Sequence, residues 1–296
     1  MSSKSKISVV IATIGDRNLI PTIKSLNSSS IKIDEIIIST PYDVKLDLGL
    51  LKVFSNIVIH KSKFKGQVAQ RIEGFKRSTN NYVLQLDDDI IVERYCIELM
   101  YKFIRDNDRS AVSAHFHHIT SKRSIYLKDD NSSTSNYYFL SELNYLRNRF
   151  LNKIYNKIKN DETISQNGNI SKSGFETYPN FEEFKTPFIS GWVPGGCMMH
   201  HKDNLVLSNF FPFKGKAYCE DLFHSIALKN NNIELYYHIN AKAFLQIENI
   251  KSNFKIFTKH LKADYAIRKI LVQQNKLSKS RMYLVYIIKT ISYLFK

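Results

Sequence analysis

Three consecutive carboxylates, Asp87, Asp88 and Asp89, close a short β-prone run over Tyr82–Leu86. A buried strand tolerates such a cluster only at its mouth, where water or a cation solvates it. Crowded carboxylates repel one another, and an oxygen-preferring divalent ion is the usual relief. Magnesium or manganese would bring phosphate oxygens with it, because both ions share carboxylate and phosphate ligands. The plainer alternative is a solvated acidic turn capping a helix that begins near Ile90. A second acidic pair, Glu220 and Asp221, opens an apolar helical run over residues 222–228. Taken alone, that pair is an acidic first turn favoured by the helix dipole. His115, His117 and His118 share no recognisable zinc spacing with any Cys or His, so packing or cleft lining is the better reading. His200 and His201 end an apolar strand and are expected to face acceptor or solvent.

The elements that must position these groups alternate. Strands are expected over residues 7–12, 34–39, 56–60 and 82–86, with helices over 19–27 and 67–77. Strands alternating with helices imply a mainly parallel sheet flanked by helices, in which ligands sit beyond the carboxyl ends of the strands. The loop 13–17, carrying Thr13 and Arg17, falls at one such end, and the three aspartates fall at another. The chain has 296 residues, 43% of them apolar, enough for a sizeable core. Its formal charge of +16 asks for an anionic partner: nucleic acid, acidic lipid or a phosphorylated substrate. Three cysteines, odd in number and without a CxxC pair, fit a reducing compartment. The apolar run after the basic N-terminus is short and interrupted, so it reads as a strand and not as a signal peptide. No window reaches the roughly 18 apolar residues of a spanning helix. The expected location is cytoplasmic.

Several pieces, in order, resemble the nucleotide-sugar glycosyltransferases of family 2, which have the GT-A fold. They are Ile7-Ser-Val-Val-Ile-Ala-Thr13, Gly66-Gln-Val-Ala-Gln-Arg71-Ile-Glu-Gly74 and Tyr82-Val-Leu-Gln-Leu-Asp87-Asp-Asp89, then Gly191-Trp192-Val-Pro-Gly195-Gly196 and Glu220-Asp221. The resemblance covers about residues 5–100 and 185–270. It implies a GT-A-like (Rossmann-like) α/β fold and inverting transfer of a sugar from a nucleotide donor, a UDP-sugar above all, to an acceptor hydroxyl. Asp87 and Asp89 match the Asp-x-Asp pair: Asp89 would ligate Mg2+ or Mn2+ on the donor diphosphate, and Asp87 would contact ribose or metal. Asp88, between them, is expected to face solvent. Arg71 would support the aspartates or phosphates, or else is a surface helix arginine; Thr13 and Arg17 would lie along the nucleotide. Asp221 would be the general base, with Glu220 as the fallback. The family's role in surface polysaccharide (capsule or lipopolysaccharide) synthesis implies a glycan or lipid-linked glycan acceptor.

The chain departs from the family in places. Strand two ends in Ser39-Thr40-Pro41 where an acidic pair usually reads the base, leaving Asp43 as a stand-in. The position of the family's late histidine reads Gln246, which weakens the expectation of metal dependence. Arg268-Lys269 stands where relatives often show Arg-Asn. The expected organisation is a catalytic domain over 1–250, with a nucleotide half at 1–100 and an acceptor half at 101–250 holding an insertion at 120–185. A polar connection at 128–136 and a basic helix over 143–159 belong to that insertion. A basic helical extension follows over 251–296, where residues 250–296 hold eleven Lys/Arg and one acid, Asp264. Over 281–296, Arg281, Lys289, Ser292 and Lys296 share one narrow helical face and most of the rest is apolar, so the tail docks either into its own domain or into a headgroup layer. The charge before it favours an anionic membrane surface, placing the protein peripherally at the inner face of the cell membrane. The rival readings are a basic nucleic-acid-binding module, which leaves the acidic motifs unexplained, and a sugar nucleotidyltransferase, which needs a glycine-rich N-terminal loop absent here. Nucleic acid is therefore not an expected partner.

Overall fold

The computed structural model describes residues 6–46, 49, 51–126, 167–211, 213, 218–245 and 254–294. The chain divides into two compact units, Met1–Ile125 with Glu182–Gln246, and Tyr126–Phe181 with Ile247–Lys296. The polar connection at 128–136, the basic helix expected over 143–159, and Gln246 lie outside the described residues.

The first unit is built on a nine-stranded sheet. Strands β1 (Ile7–Ala12), β2 (Glu35–Pro41), β3 (Ile57–Ser62) and β4 (Tyr82–Leu86) run parallel in the order β3-β2-β1-β4. Ile7, Val9, Val10 and Ile11 are all buried, as expected where both faces of a strand are covered. Helix α1 (Ile20–Asn27) and helix α2 (Gln67–Arg77) make the crossovers. Gly74 explains how closely α2 approaches the sheet. A Cβ there would stand 2.4 Å from Val10 Cγ1, so only glycine fits. Val10, Ile37, Phe75 and Val83 form the cluster beneath.

Ile90–Val92 is a short strand, β5, and the helix expected near Ile90 starts later, as α3 (Cys96–Asp106). A β-branched run suits a strand, and this one finds an antiparallel partner in Ala243, Phe244 and Leu245. The sheet continues through β6 (Ser110–His118), and the second unit contributes its own small pair, β7 (Asn169–Ile170) and β8 (Glu176–Thr177). Returning to the first unit, β9 (Phe188–Ile189), β10 (Cys197–His201), helix α4 (Glu220–Asn230) and β11 (Glu234–Leu245) complete it. β10 lies antiparallel to β4, pairing Cys197 with Leu86. The start of β10 therefore meets the end of β4, which brings Gly195 and Gly196 beside the aspartates.

In the second unit, helices α5 (Phe254–Gln274) and α6 (Lys279–Leu294) pack with Phe175. Arg268 is buried there, its guanidinium 3.8 Å over the Phe175 ring and 3.0 Å from Asp264 Oδ1. Tyr286 donates its hydroxyl to Asp264 Oδ2 at 2.5 Å, so this arginine holds a core together. Lys289, expected on a polar face of the tail helix, is buried against the Phe175 ring at 4.3 Å, because its ammonium can rest on the aromatic face while its stem packs. Met282, Val285, Tyr286 and Ile288 are buried with it, so half of the tail helix docks into its own unit. No described helix is long and apolar enough to cross a membrane.

Candidate active site

The aspartates form the turn between β4 and β5, and each has a different partner. Asp87 Oδ1 accepts from Arg71 Nη2 at 2.7 Å and from Gln67 Nε2 at 3.0 Å. Asp88 Oδ2 accepts from Thr13 Oγ1 at 2.6 Å, and the same threonine oxygen accepts the Gly15 N–H at 3.0 Å. Asp89 pairs with Arg17, whose side chain is 41% exposed and also lies 3.9 Å from Asp88 Oδ1. Asp88 thus does not simply face solvent; it ties the loop after β1 to the end of β4. Burial pushes its carboxyl up to about 6, with Asp89 and Asp87 adding to the rise against the Thr13 hydrogen bond. Asp89 is likewise raised, first by burial and then by Asp87.

Arg71 joins this turn to the start of α4. Its side chain is 2% exposed, with Nη2 on Asp87 and Nη1 on Glu220 Oε1, both at 2.7 Å. Burial works against its charge, but Glu220 and Asp87 outweigh that and hold the guanidinium above its ordinary pKa. It is therefore no surface arginine. Helix α2 delivers it because Gln67 and Arg71 are one turn apart on the same face, and both reach Asp87.

Helix α4 is entered through Cys219 at a φ of 56°, so Glu220 and Asp221 are its first residues. Glu220 is buried and committed to Arg71. Asp221 Oδ1 accepts the Gly195 N–H at 2.8 Å, and burial followed by the Glu220 charge raises its carboxyl well above the ordinary range. The two glycines permit this approach. A Cβ on Gly195 would stand 2.5 Å from Gln85 Nε2 and 2.7 Å from Asp221 Oδ1, and one on Gly196 would stand 3.1 Å from Asp87 Oδ2. Gly196 O also accepts the Asp87 N–H at 2.8 Å, and Gln85 donates to Gly195 O.

Thr13, Arg17, Arg71, Asp87, Asp89, Glu220 and Asp221 thus fall along a set of polar contacts at one end of the sheet. Sequence reasoning passed over Gln67 and Gln85. Their signal was positional: one is a helical turn before Arg71, the other two strand residues before Asp87. The oxygen donors suit a hard divalent cation, being carboxylates crowded at the end of one strand. Among the described residues no three His, Cys, Asp or Glu side chains converge to hold an ion alone. Asp87 and Asp89 could hold one only if diphosphate oxygens and water complete the shell, which is how magnesium-type ions are commonly bound.

The histidines stand apart. His115 Nε2 is 2.8 Å from Ser124 Oγ and its ring packs on His117, so burial followed by His117 lowers it to about 4. His200, expected to face acceptor or solvent, is fully buried, with its ring 6.4 Å from Phe75 and 5.6 Å from His224. β10 is covered on both faces, with Cys197, Met198 and Met199 buried as well, so His200 has no solvent side to face.

The sequence model of glycosyl transferase family 2 matches residues 8–178, more than half of the chain. The chain belongs to glycosyl transferase family 2. No curated protein sequence matches it. Among solved structures, GalNAc-T7 with UDP, GalNAc and Mn2+ is similar over 97% of this chain and 55% of that chain, with a TM-score of 0.58 at 11% identity. S. aureus TarS 1-349 is similar over 79% of this chain and 60% of that one, at 14% identity and a TM-score of 0.45. Its complex with UDP-GlcNAc gives 15% identity and a TM-score of 0.45 over 88% and 66%. The chain therefore spans just over half the length of GalNAc-T7, with which it shares the GT-A fold. The family match ends before Glu220 and Asp221, which only the folded chain brings to the aspartates.

Proposed function

We propose that this glycosyltransferase moves a sugar from a nucleotide-sugar donor, a UDP-sugar, to an acceptor hydroxyl in one inverting displacement. The observation that carries this reading is Arg71, which ties the β4 aspartates to the α4 acidic pair through two 2.7 Å contacts. A diphosphate held at one end of that bridge and an acceptor at the other would meet across a single anomeric carbon. GalNAc-T7, which shares the fold, was solved with UDP, GalNAc and Mn2+, and this supports the donor and metal class.

Asp221 is the general base. Gly195 fixes one of its carboxylate oxygens, leaving the other for the acceptor hydroxyl, and burial followed by the Glu220 charge makes it a stronger proton acceptor than an ordinary carboxylate. Glu220 is bound to Arg71 and less suited to that role. As Asp221 takes the proton, the acceptor oxygen bonds to the anomeric carbon, and the bond from that carbon to the β-phosphate oxygen breaks with inversion. Asp87 and Asp89 would hold a divalent ion, whose chemistry when bound would be to neutralise charge on the departing diphosphate. Arg71 keeps Asp87 oriented. Thr13 and Gln67 fix the turn, and Arg17 sits where donor phosphates would compete with Asp89 for it. We read the acceptor as a glycan or lipid-linked glycan of surface polysaccharide, met at the cytoplasmic face of the membrane, with residues 1–250 catalytic and 251–296 an extension.

The test is a panel of nucleotide sugars assayed for release of nucleoside diphosphate with Mg2+, Mn2+ or excess EDTA. One donor should be hydrolysed in a metal-dependent way, and Asp89→Ala should abolish that while leaving the circular dichroism spectrum unchanged. Undiminished activity in EDTA would remove the metal from the mechanism.

A further inference from the structure

Helix α5 turns Phe257, Asp264, Ile267, Arg268, Leu271 and Val272 inward. At about 100° per residue, Lys255, Lys259, Lys262 and Lys269 fall together on the opposite face, and all four are exposed. That row spans roughly 20 Å at the helical rise of about 1.5 Å per residue. Like charges three and four apart on a helix repel, and solvated helices usually intersperse acids. Here the only acid in residues 254–294 is Asp264, buried on the other side.

Helix α6 has an outward face of the complementary kind. Tyr283, Leu284 and Ile287 are 41%, 45% and 53% exposed, opposite the buried Met282, Val285 and Tyr286. Both helices rest on Phe175 through Arg268 and Lys289, and they touch each other through Phe257 with Tyr293 and Tyr265 with Tyr286. The lysines and the aliphatic side chains therefore project from the sides turned away from Phe175. A row of cations asks for anions. Neighbouring exposed Leu and Ile ask for a medium that accepts hydrocarbon, which a nucleic acid does not supply.

We infer that the outward faces of α5 and α6 form a docking surface for a bilayer of anionic phospholipid, the lysines over the headgroups and Leu284 and Ile287 in the interfacial layer. The inference takes its purpose from the reading of a membrane-anchored acceptor, yet the binding itself needs no substrate. The test is co-sedimentation of the full chain with phosphatidylglycerol–phosphatidylcholine vesicles and with phosphatidylcholine alone, at low and high salt. Each lysine near an anionic surface is worth about fivefold in affinity at low salt, so Lys255→Gln/Lys259→Gln/Lys262→Gln/Lys269→Gln should weaken binding several hundredfold. Leu284→Ser/Ile287→Ser should remove the part that survives high salt. Hydrolysis of free nucleotide sugar, measured on the same variants, should be unchanged. Absent binding of the wild type to anionic vesicles, or wild-type binding by the lysine variant, would overturn the inference whatever hydrolysis does. Binding to a short RNA tighter than to the vesicles, and insensitive to Leu284→Ser/Ile287→Ser, would overturn it in favour of nucleic acid. A failure of hydrolysis with vesicle binding intact would count against the catalytic reading alone.

Discussion

Arg71→Met removes the cation that two carboxylates share, and its cost follows from their burial. The Glu220 side chain is 6% exposed and Asp87 30%, so the substitution strands one nearly dry charge and one half-wet charge. Removing one partner of a buried pair costs about 3–5 kcal/mol, most of it here from Glu220. Glu220→Gln alone leaves Arg71 with Asp87 and should cost about 1.5–3 kcal/mol, the range of a charged hydrogen bond. In Arg71→Met/Glu220→Gln the stranded charge is gone, so the double variant should be little worse than Arg71→Met. The coupling energy should therefore be about 2 kcal/mol or more. Urea unfolding of the four proteins, with m-values checked for constancy, measures it. Additivity within about 0.5 kcal/mol would refute the argument that Arg71 and Glu220 act as one buried unit.

Gly195→Ala places a Cβ 2.7 Å from Asp221 Oδ1 and 2.5 Å from Gln85 Nε2, so transfer should drop by about 100-fold with donor binding nearly intact, read by initial rates and nucleotide titration. His200 is held neutral in the fold, its pKa lowered by burial from 6.5 to about 3, and His224 is lowered for the same reason. Their preference for the neutral form is fully present above pH 6.5 and is lost as pH falls through that value towards the folded pKa. His200→Phe should consequently gain on the wild type by about 1.4 kcal/mol per pH unit between pH 6 and 4, and His224→Phe should gain in the same direction as pH falls. Parallel stability–pH curves from chemical unfolding would contradict this.

Where the sequence was locally consistent, it could be read. The spans of α2 and β4 were legible because each carries the period of its element between turn signals, and the parallel half of the sheet followed from their alternation. Ile90 misled because an acidic turn looks like a helix cap; the partner that makes Ile90–Val92 a strand lies more than 150 residues away, in β11. Arg71 was visible as a motif position, but not as a bridge, since burial depends on Glu220 arriving from 149 residues further on. Gln67 and Gln85 carried no chemical label at all, and their use follows from strand and helix register. The tail helix showed its apolar content plainly. Which half of it turns inward depended on Phe175, far away in the chain, and on an ammonium that rests on an aromatic face.

The most direct test of the central claim is a time course of the complete reaction by proton NMR, using the donor found by the hydrolysis panel and a suitable acceptor, with wild type and Asp221→Asn compared. Asp221→Asn keeps the shape and the hydrogen bond to Gly195 but cannot take the proton, so transfer should slow by about 100-fold or more while nucleotide affinity stays unchanged. The first product formed should carry the anomeric configuration opposite to that of the donor. Retention of configuration, or transfer by Asp221→Asn at the wild-type rate, would contradict the account.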